Sequence, residues 1–172
     1  MRRVVRRAAL AIGLSCVTGC TAPPPPAPPP VAPAPLPRPL PPTDPERTQR
    51  AREVYLGGLT LLQRSPPELE AASRELRRAL ELDPRFYRAH FKLGICYYHQ
   101  GLYGLEIEEY RQCLAINPAY VPAWLNLGHA HLAQDQLDEA RRAYREVLDR
   151  EPNHPVARRN LELVEHDLRS RN

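Results

Sequence analysis

The chain has 172 residues, a length that suits one domain. Arg2, Arg3, Arg6 and Arg7 account for its formal net charge of +4; from Glu46 onward 19 basic residues face 19 acidic ones, which argues against a nucleic-acid partner. Fourteen of the 21 prolines lie between Pro23 and Pro45, no apolar run reaches the ~18 residues of a transmembrane helix, and no long Gly-rich phosphate loop is present.

Met1 to Arg7 is strongly basic and Ala8 to Val17 is an apolar stretch too short to span a membrane. Together they read as the start of a secretory signal peptide. Val17-Thr18-Gly19-Cys20 follows. It resembles a bacterial lipobox, in which small residues fit the protease beside the cleaved bond and the cysteine thiol takes a diacylglycerol. The resemblance implies residues 1–19 as a removed signal peptide and Cys20 as the lipid-attachment residue. Several acyl chains, at ~0.8 kcal/mol per buried CH₂, anchor firmly. Thr21 stands where an Asp commonly retains a lipoprotein in the inner membrane, so the resemblance implies the outer membrane and a periplasmic domain. Two other readings of the motif are an ordinary cleaved signal peptide with an incidental cysteine, and Cys16 as the acceptor.

Residues 20–45 are expected to be a lipidated cysteine followed by a Pro/Ala-rich tether. Prolines fix φ and lack the N–H, so Ala22 to Pro45 is expected to form neither helix nor sheet and to stay disordered, sampling polyproline II. At ~3.1 Å per residue this tether reaches at most roughly 75 Å. It reads as a spacer, with Pro37-Arg38-Pro39 as an alternative docking element.

Residues 46–172 read as helical and match themselves at a shift of 34. Leu59, Leu93 and Leu127 align without gaps, as do Leu76, Tyr110 and Tyr144, then Leu80, Leu114 and Leu148. Gly94 aligns with Gly128, and Pro84, Pro118 and Pro152 align, preceded by Asp83, Asn117 and Glu151. Trp124-Leu125-Asn126-Leu127-Gly128 followed by Ala140, Tyr144 and Pro152 resembles the tetratricopeptide repeat. The resemblance implies an all-α fold: a right-handed α-solenoid of three helix-turn-helix repeats (53–86, 87–120 and 121–154) with a capping helix over 155–170. Neither helix of a repeat can bury its apolar stripe alone, so neighbours must stack.

The repeats differ in telling places. Thr60 occupies the position of Gly94, Pro66-Pro67 lie in the first inter-helix turn, and Glu106 stands where Ala72 and Ala140 stand. The run Glu106-Ile107-Glu108-Glu109 reads as a solvated face. His90 and His131 read as core-edge residues. Cys96 and Cys113, one on each helix of the second repeat, read as buried thiols, with a disulfide as the alternative. No two histidines share a helix at i, i+4, and no nucleophile–base motif is present, so no enzymatic activity, metal or cofactor is expected.

In tetratricopeptide proteins the first helix of each repeat lines the concave surface. Steps of 3, 4 and 3 place Arg88, Phe91, Ile95 and Tyr98 on one stripe. The third repeat offers Pro122, Leu125, His129 and Leu132, the first Val54, Gly57, Leu61 and Arg64, and the capping helix Val156, Arg159 and Leu163. The peptide-binding groove is therefore expected at Arg88, Phe91, Ile95, Tyr98, Leu125, His129, Leu132 and Arg159, with the convex face as the alternative. A family mode that holds a terminal carboxylate with Lys and Asn does not fit Phe91, Ile95, Leu125 and His129; apolar anchors suit an apolar or amphipathic segment. The implied role is a non-catalytic adaptor for another envelope protein or peptide segment, held to the membrane by its lipid. The alternative is a periplasmic holding chaperone with a broad range of apolar clients. No oligomeric state follows from the sequence.

Overall fold

The computed structural model describes residues 44–171. The expected signal peptide, Cys20 and nearly all of the tether lie outside them. The described residues form seven α-helices and no strand: α1 Pro45–Leu62, α2 Leu69–Leu82, α3 Tyr87–His99, α4 Tyr103–Ile116, α5 Val121–Ala133, α6 Leu137–Arg150 and α7 Pro155–Arg171. Helices pair as α1–α2, α3–α4 and α5–α6, and each pair meets the next through its second helix. This is a helical solenoid closed by α7, which buries Ala157 and Val164 against the third pair. Pro45 ends the expected tether by starting a helix instead. It occupies the first turn, where its missing N–H costs nothing, and Asp44 caps the helix by accepting from the Glu46 N–H at 3.0 Å.

The same local chemistry recurs every 34 residues. The chain leaves each second helix through a turn in which the amides of Phe86, Tyr120 and His154 donate to the carbonyls of Asp83, Asn117 and Glu151 at 3.0–3.1 Å. The side chains of Asp83 and Asn117 also accept from the amides of Arg85 and Ala119, which is why short polar residues precede the prolines. The carbonyls of Pro84, Pro118 and Pro152 then meet the side chains of His90, Trp124 and Arg158. Glu109 holds the other ring nitrogen of His90 at 2.7 Å, and Gln136 holds His131 at 2.5 Å, so both histidines serve the scaffold. At the turns inside the second and third repeats, Gly101 (φ 72°) and Asp135 (φ 59°) adopt the left-handed conformation. The following amides of Leu102 and Gln136 reach back to Tyr97 and His131 at 2.9 Å, closing Schellman-type caps.

The first repeat departs from this register. Its turn spans 63–68, against 100–102 and 134–136 in the others. Gly58 is the glycine packed on the second helix: a Cβ there would lie 3.3 Å from Leu76 Cγ, as Gly94 lies on Tyr110 and Gly128 on Tyr144. Thr60, aligned by sequence with Gly94, is exposed and donates its hydroxyl to the Leu56 carbonyl. The gap-free self-match therefore fails in α1. The turn is three residues longer and α1 ends one residue sooner after its packed glycine than α3 does, which shifts the helix by two.

Candidate peptide-binding groove

Because repeats join through their second helices, clefts remain between successive first helices. A cavity of about 330 Å³ lies between α1 and α3, with Leu59, Leu62, Lys92 and Ile95 in its wall. One of about 420 Å³ lies between α3 and α5, lined by Ile95, Tyr98, His99, Glu106, Tyr110, Asn126, His129 and Ala133. A third, of about 570 Å³, gathers Arg52, Arg85 and Arg88 around Tyr55, Phe86 and Tyr87. In the first repeat the shifted register places Arg52, Tyr55, Leu59 and Leu62 at these walls, each two residues before the expected Val54, Gly57, Leu61 and Arg64.

The expected groove residues divide by burial. Ile95, Tyr98 and His129 come together in the α3–α5 cleft, with Tyr98 52% exposed. Arg88 is exposed, its Nε donating to the Tyr87 hydroxyl at 3.1 Å, and Arg159 is exposed on α7. Leu125 and Leu132 are half-buried against the third core cluster. Phe91 is core, at 8% exposure, with its ring edge-on to Tyr120 at 5.1 Å and 5.9 Å from Tyr110. A large ring beside the α4–α5 connection gains more by packing than by facing water. Val156 and Leu163 of α7 stay 44% and 53% exposed.

Glu106 corrects the sequence reading most sharply. It is 2% exposed rather than solvated, and Ile107 is buried beside it. Burial pushes its carboxyl up to about 7, while the nearby Tyr110 hydroxyl works in the opposite direction. That hydroxyl also accepts from Asn126 Nδ2 at 3.3 Å. Asn160 makes the same link to Tyr144 one repeat later, at 3.4 Å, and lies 3.0 Å from His129 Nε2. Asn126 and Glu106 were both visible as signals in the 34-residue match, one as a recurring Asn and the other as an intruder in a column of alanines. Cys96 and Cys113 are fully buried free thiols, so the structure holds the thiol reading and not the disulfide. Among the described residues no cluster of three or more His, Cys, Asp or Glu side chains could hold a metal ion, and no helix is long and apolar enough to cross a membrane.

Comparison with known proteins supports the same architecture. The chain is 29% identical over 123 residues to the tetratricopeptide repeat-containing protein trd-1 of Caenorhabditis elegans, a stretch covering 72% of this chain and 15% of that protein. It superposes on the first tetratricopeptide domain of Spaghetti (RPAP3) bound to the HSP90 peptide SRMEEVD with a TM-score of 0.66 and 21% identity, over 70% of this chain and 94% of that one. The Yersinia enterocolitica type III secretion chaperone SycD, in complex with a peptide of the translocator YopD, gives 0.64 and 18% over 69% and 95%. These two likenesses concern the fold. Two profiles for the tetratricopeptide repeat match residues 68–121 and 107–161, together more than half of the chain. The protein belongs to the tetratricopeptide-repeat family.

Proposed function

We propose that this protein is a non-catalytic adaptor, anchored through lipid on Cys20 in the outer membrane, that docks a segment of another cell-envelope protein in the groove along its first helices. The observation that carries the docking reading is the α3–α5 cleft with the Tyr98 ring 52% exposed in its wall, together with Val156 and Leu163 of α7, left 44% and 53% exposed. Exposed apolar groups next to concave, partly polar walls are the usual makings of a peptide site. The peptide-bound domains of RPAP3 and SycD support the same use of the fold. The anchoring half rests on the lipobox resemblance and on the basic, apolar, cysteine order of the first twenty residues.

The test is photo-crosslinking from position 98 in intact cells, with mass spectrometry of what is captured, compared with a Tyr98→Asp/Leu163→Asp protein. Both positions are exposed, so the variant should keep its helicity and its membrane fractionation, which are checked first. One dominant envelope partner, lost from the variant, is the expected result. A partner retained by the variant would move the site to the convex face. A diffuse set of unrelated clients would instead establish the holding chaperone. Cys20→Ala should abolish labelling by radioactive palmitate and release the protein from membranes.

A further inference from the structure

The α3–α5 cleft holds a carboxyl that the fold does not require. Glu106 lies at its base, 2% exposed, and its Oε2 has no hydrogen-bond partner. Ala72 and Ala140 fill the equivalent positions with complete burial, and the Tyr144–Asn160 link forms in the third repeat with Ala140 in that place. The carboxyl is therefore an addition to this cleft. A buried carboxylate oxygen without a donor is costly unless something supplies one.

We propose that the α3–α5 cleft receives a cationic side chain, the lysine or arginine of a docked segment, with Glu106 as its counter-ion. This deepens the docking reading above and rests on it. The walls suit such a side chain. Ile95 and Ala133 offer apolar surface for its aliphatic stem, and the half-exposed Tyr98 ring stands at the mouth beside its path. The Tyr110 hydroxyl, with Asn126 donating to it, has its own proton free for one Glu106 oxygen, which leaves Oε2 for the incoming donor. About 420 Å³ is within the range of pockets that enclose a small ligand. A charged donor is preferred over a hydroxyl or amide because charge-assisted hydrogen bonds are roughly twice as strong as neutral ones. Acidic segments of the SRMEEVD kind are disfavoured by the same carboxylate.

The titratable groups facing Glu106 are Tyr110 on its own helix, Tyr98 and His99 from α3 and His129 from α5. A bound cation favours the ionised carboxyl, and protonated His129 would repel it. Occupancy is therefore greater on the alkaline side of neutrality.

The test uses n-butylguanidinium and n-butylamine, which carry the side-chain chemistry alone, titrated into the isotope-labelled full chain and followed by NMR. Both should shift the Asn126 side-chain amide and the backbone amides of Tyr98 and His129 saturably. Affinity should fall at least about tenfold in Glu106→Ala and Glu106→Gln, and n-pentanol should bind about tenfold more weakly than either cation. Binding should strengthen about tenfold between about pH 5.5 and about pH 8. Glu106→Ala installs the residue that the sister repeats carry, and Glu106→Gln preserves volume, so loss of fold does not confuse the result. Equal affinity for cation and alcohol, or for wild type and both variants, would overturn the pocket. A gain of cation affinity in Arg38→Ala would show that the chain's own proline-rich segment occupies the cleft, and would overturn the partner assignment. Because the probes are not the partner, a failed titration beside a partner still lost from Tyr98→Asp/Leu163→Asp discards the cation pocket and keeps the groove. Cation binding beside a partner indifferent to that variant does the reverse.

Discussion

Eighteen residues separate Gly58 from Leu76, the side chain it packs against, where sixteen separate Gly94 from Tyr110 and Gly128 from Tyr144. The longer turn that contains Pro66-Pro67 supplies the difference, and in each pair the glycine still faces a side chain of the second helix. The packing is thus preserved across all three helix pairs while the sequence spacing is not.

A glycine series tests this register. A Cβ at position 94 would lie 2.6 Å from the Tyr110 ring, and at position 58 it would lie 3.3 Å from Leu76. Gly94→Ala should destabilise by about 1–3 kcal/mol in urea unfolding, and Gly58→Ala by less, because the overlap there is smaller. Gly57→Ala meets nothing within 4 Å and should stabilise by up to about 1 kcal/mol through helix propensity alone. Thr60→Gly, which would restore the apparent consensus, should destabilise; a stabilising effect would contradict the two-residue shift.

Phe91 and Tyr98 lie on the same nominal stripe and should respond oppositely. Phe91→Ala opens a cavity between Tyr110 and Tyr120 and should cost about 3–5 kcal/mol of stability. Tyr98→Ala, at an exposed position, should change stability by less than about 0.5 kcal/mol while weakening capture of the partner. Thermal unfolding and crosslinking yield on the same two proteins read both halves.

Glu106 sets a distinctive pH dependence. Its folded carboxyl is raised by burial to about 7 from an ordinary value of 4.5, so the folded state holds the proton more tightly than the unfolded chain. Stability should therefore decline as pH rises from 4.5 to about 7 and flatten above, by roughly 3 kcal/mol at most. His129 and His131, held below their usual value by burial, contribute the opposite slope over the acidic side of that range. Comparing wild type with Glu106→Gln cancels the histidines. The variant should be the more stable protein at pH 8 and the difference should shrink toward pH 4; a constant difference would be evidence against a neutral, buried carboxyl.

Burial raises both thiols of the second repeat, Cys113 up to about 12. Few thiolates exist at neutral pH, and neither sulfur is reachable. Peptide mapping after treatment with iodoacetamide should find Cys96 and Cys113 unmodified in native protein and modified once urea unfolds it. A Cys96–Cys113 disulfide in material prepared without reductant would be the contrary outcome.

The fold was legible because its signals are periodic. Gly94, Tyr110 and Pro118 recur as Gly128, Tyr144 and Pro152, and the structure gives each the same task twice. Pro155 as the start of the last helix was also readable. The first repeat misled because a helix carries no mark of its own register: Leu59 matches Leu93 in type whether or not it matches in place. The placement of the stripe was half legible. Helical spacing brings Ile95, Tyr98 and His129 to one side, but it cannot say that Tyr120, from the next connection, folds down over Phe91. Glu106 was misjudged because its acidic neighbours suggested water, whereas its place in the alanine column already pointed to the interior.

The Asn–Tyr link has an architectural corollary. Residues 121–154 begin with a helix that supplies Asn126 to the preceding tyrosine and end with a helix whose Tyr144 awaits the asparagine of whatever follows. This segment works as a cassette with matching ends. Tandem copies inserted before Pro155 should concatenate without new seams, lengthening the array by two helices at a time. A copy of the first repeat, with its longer turn and its Leu76 in place of the tyrosine, has no such complementary ends and should break the register of the array it joins.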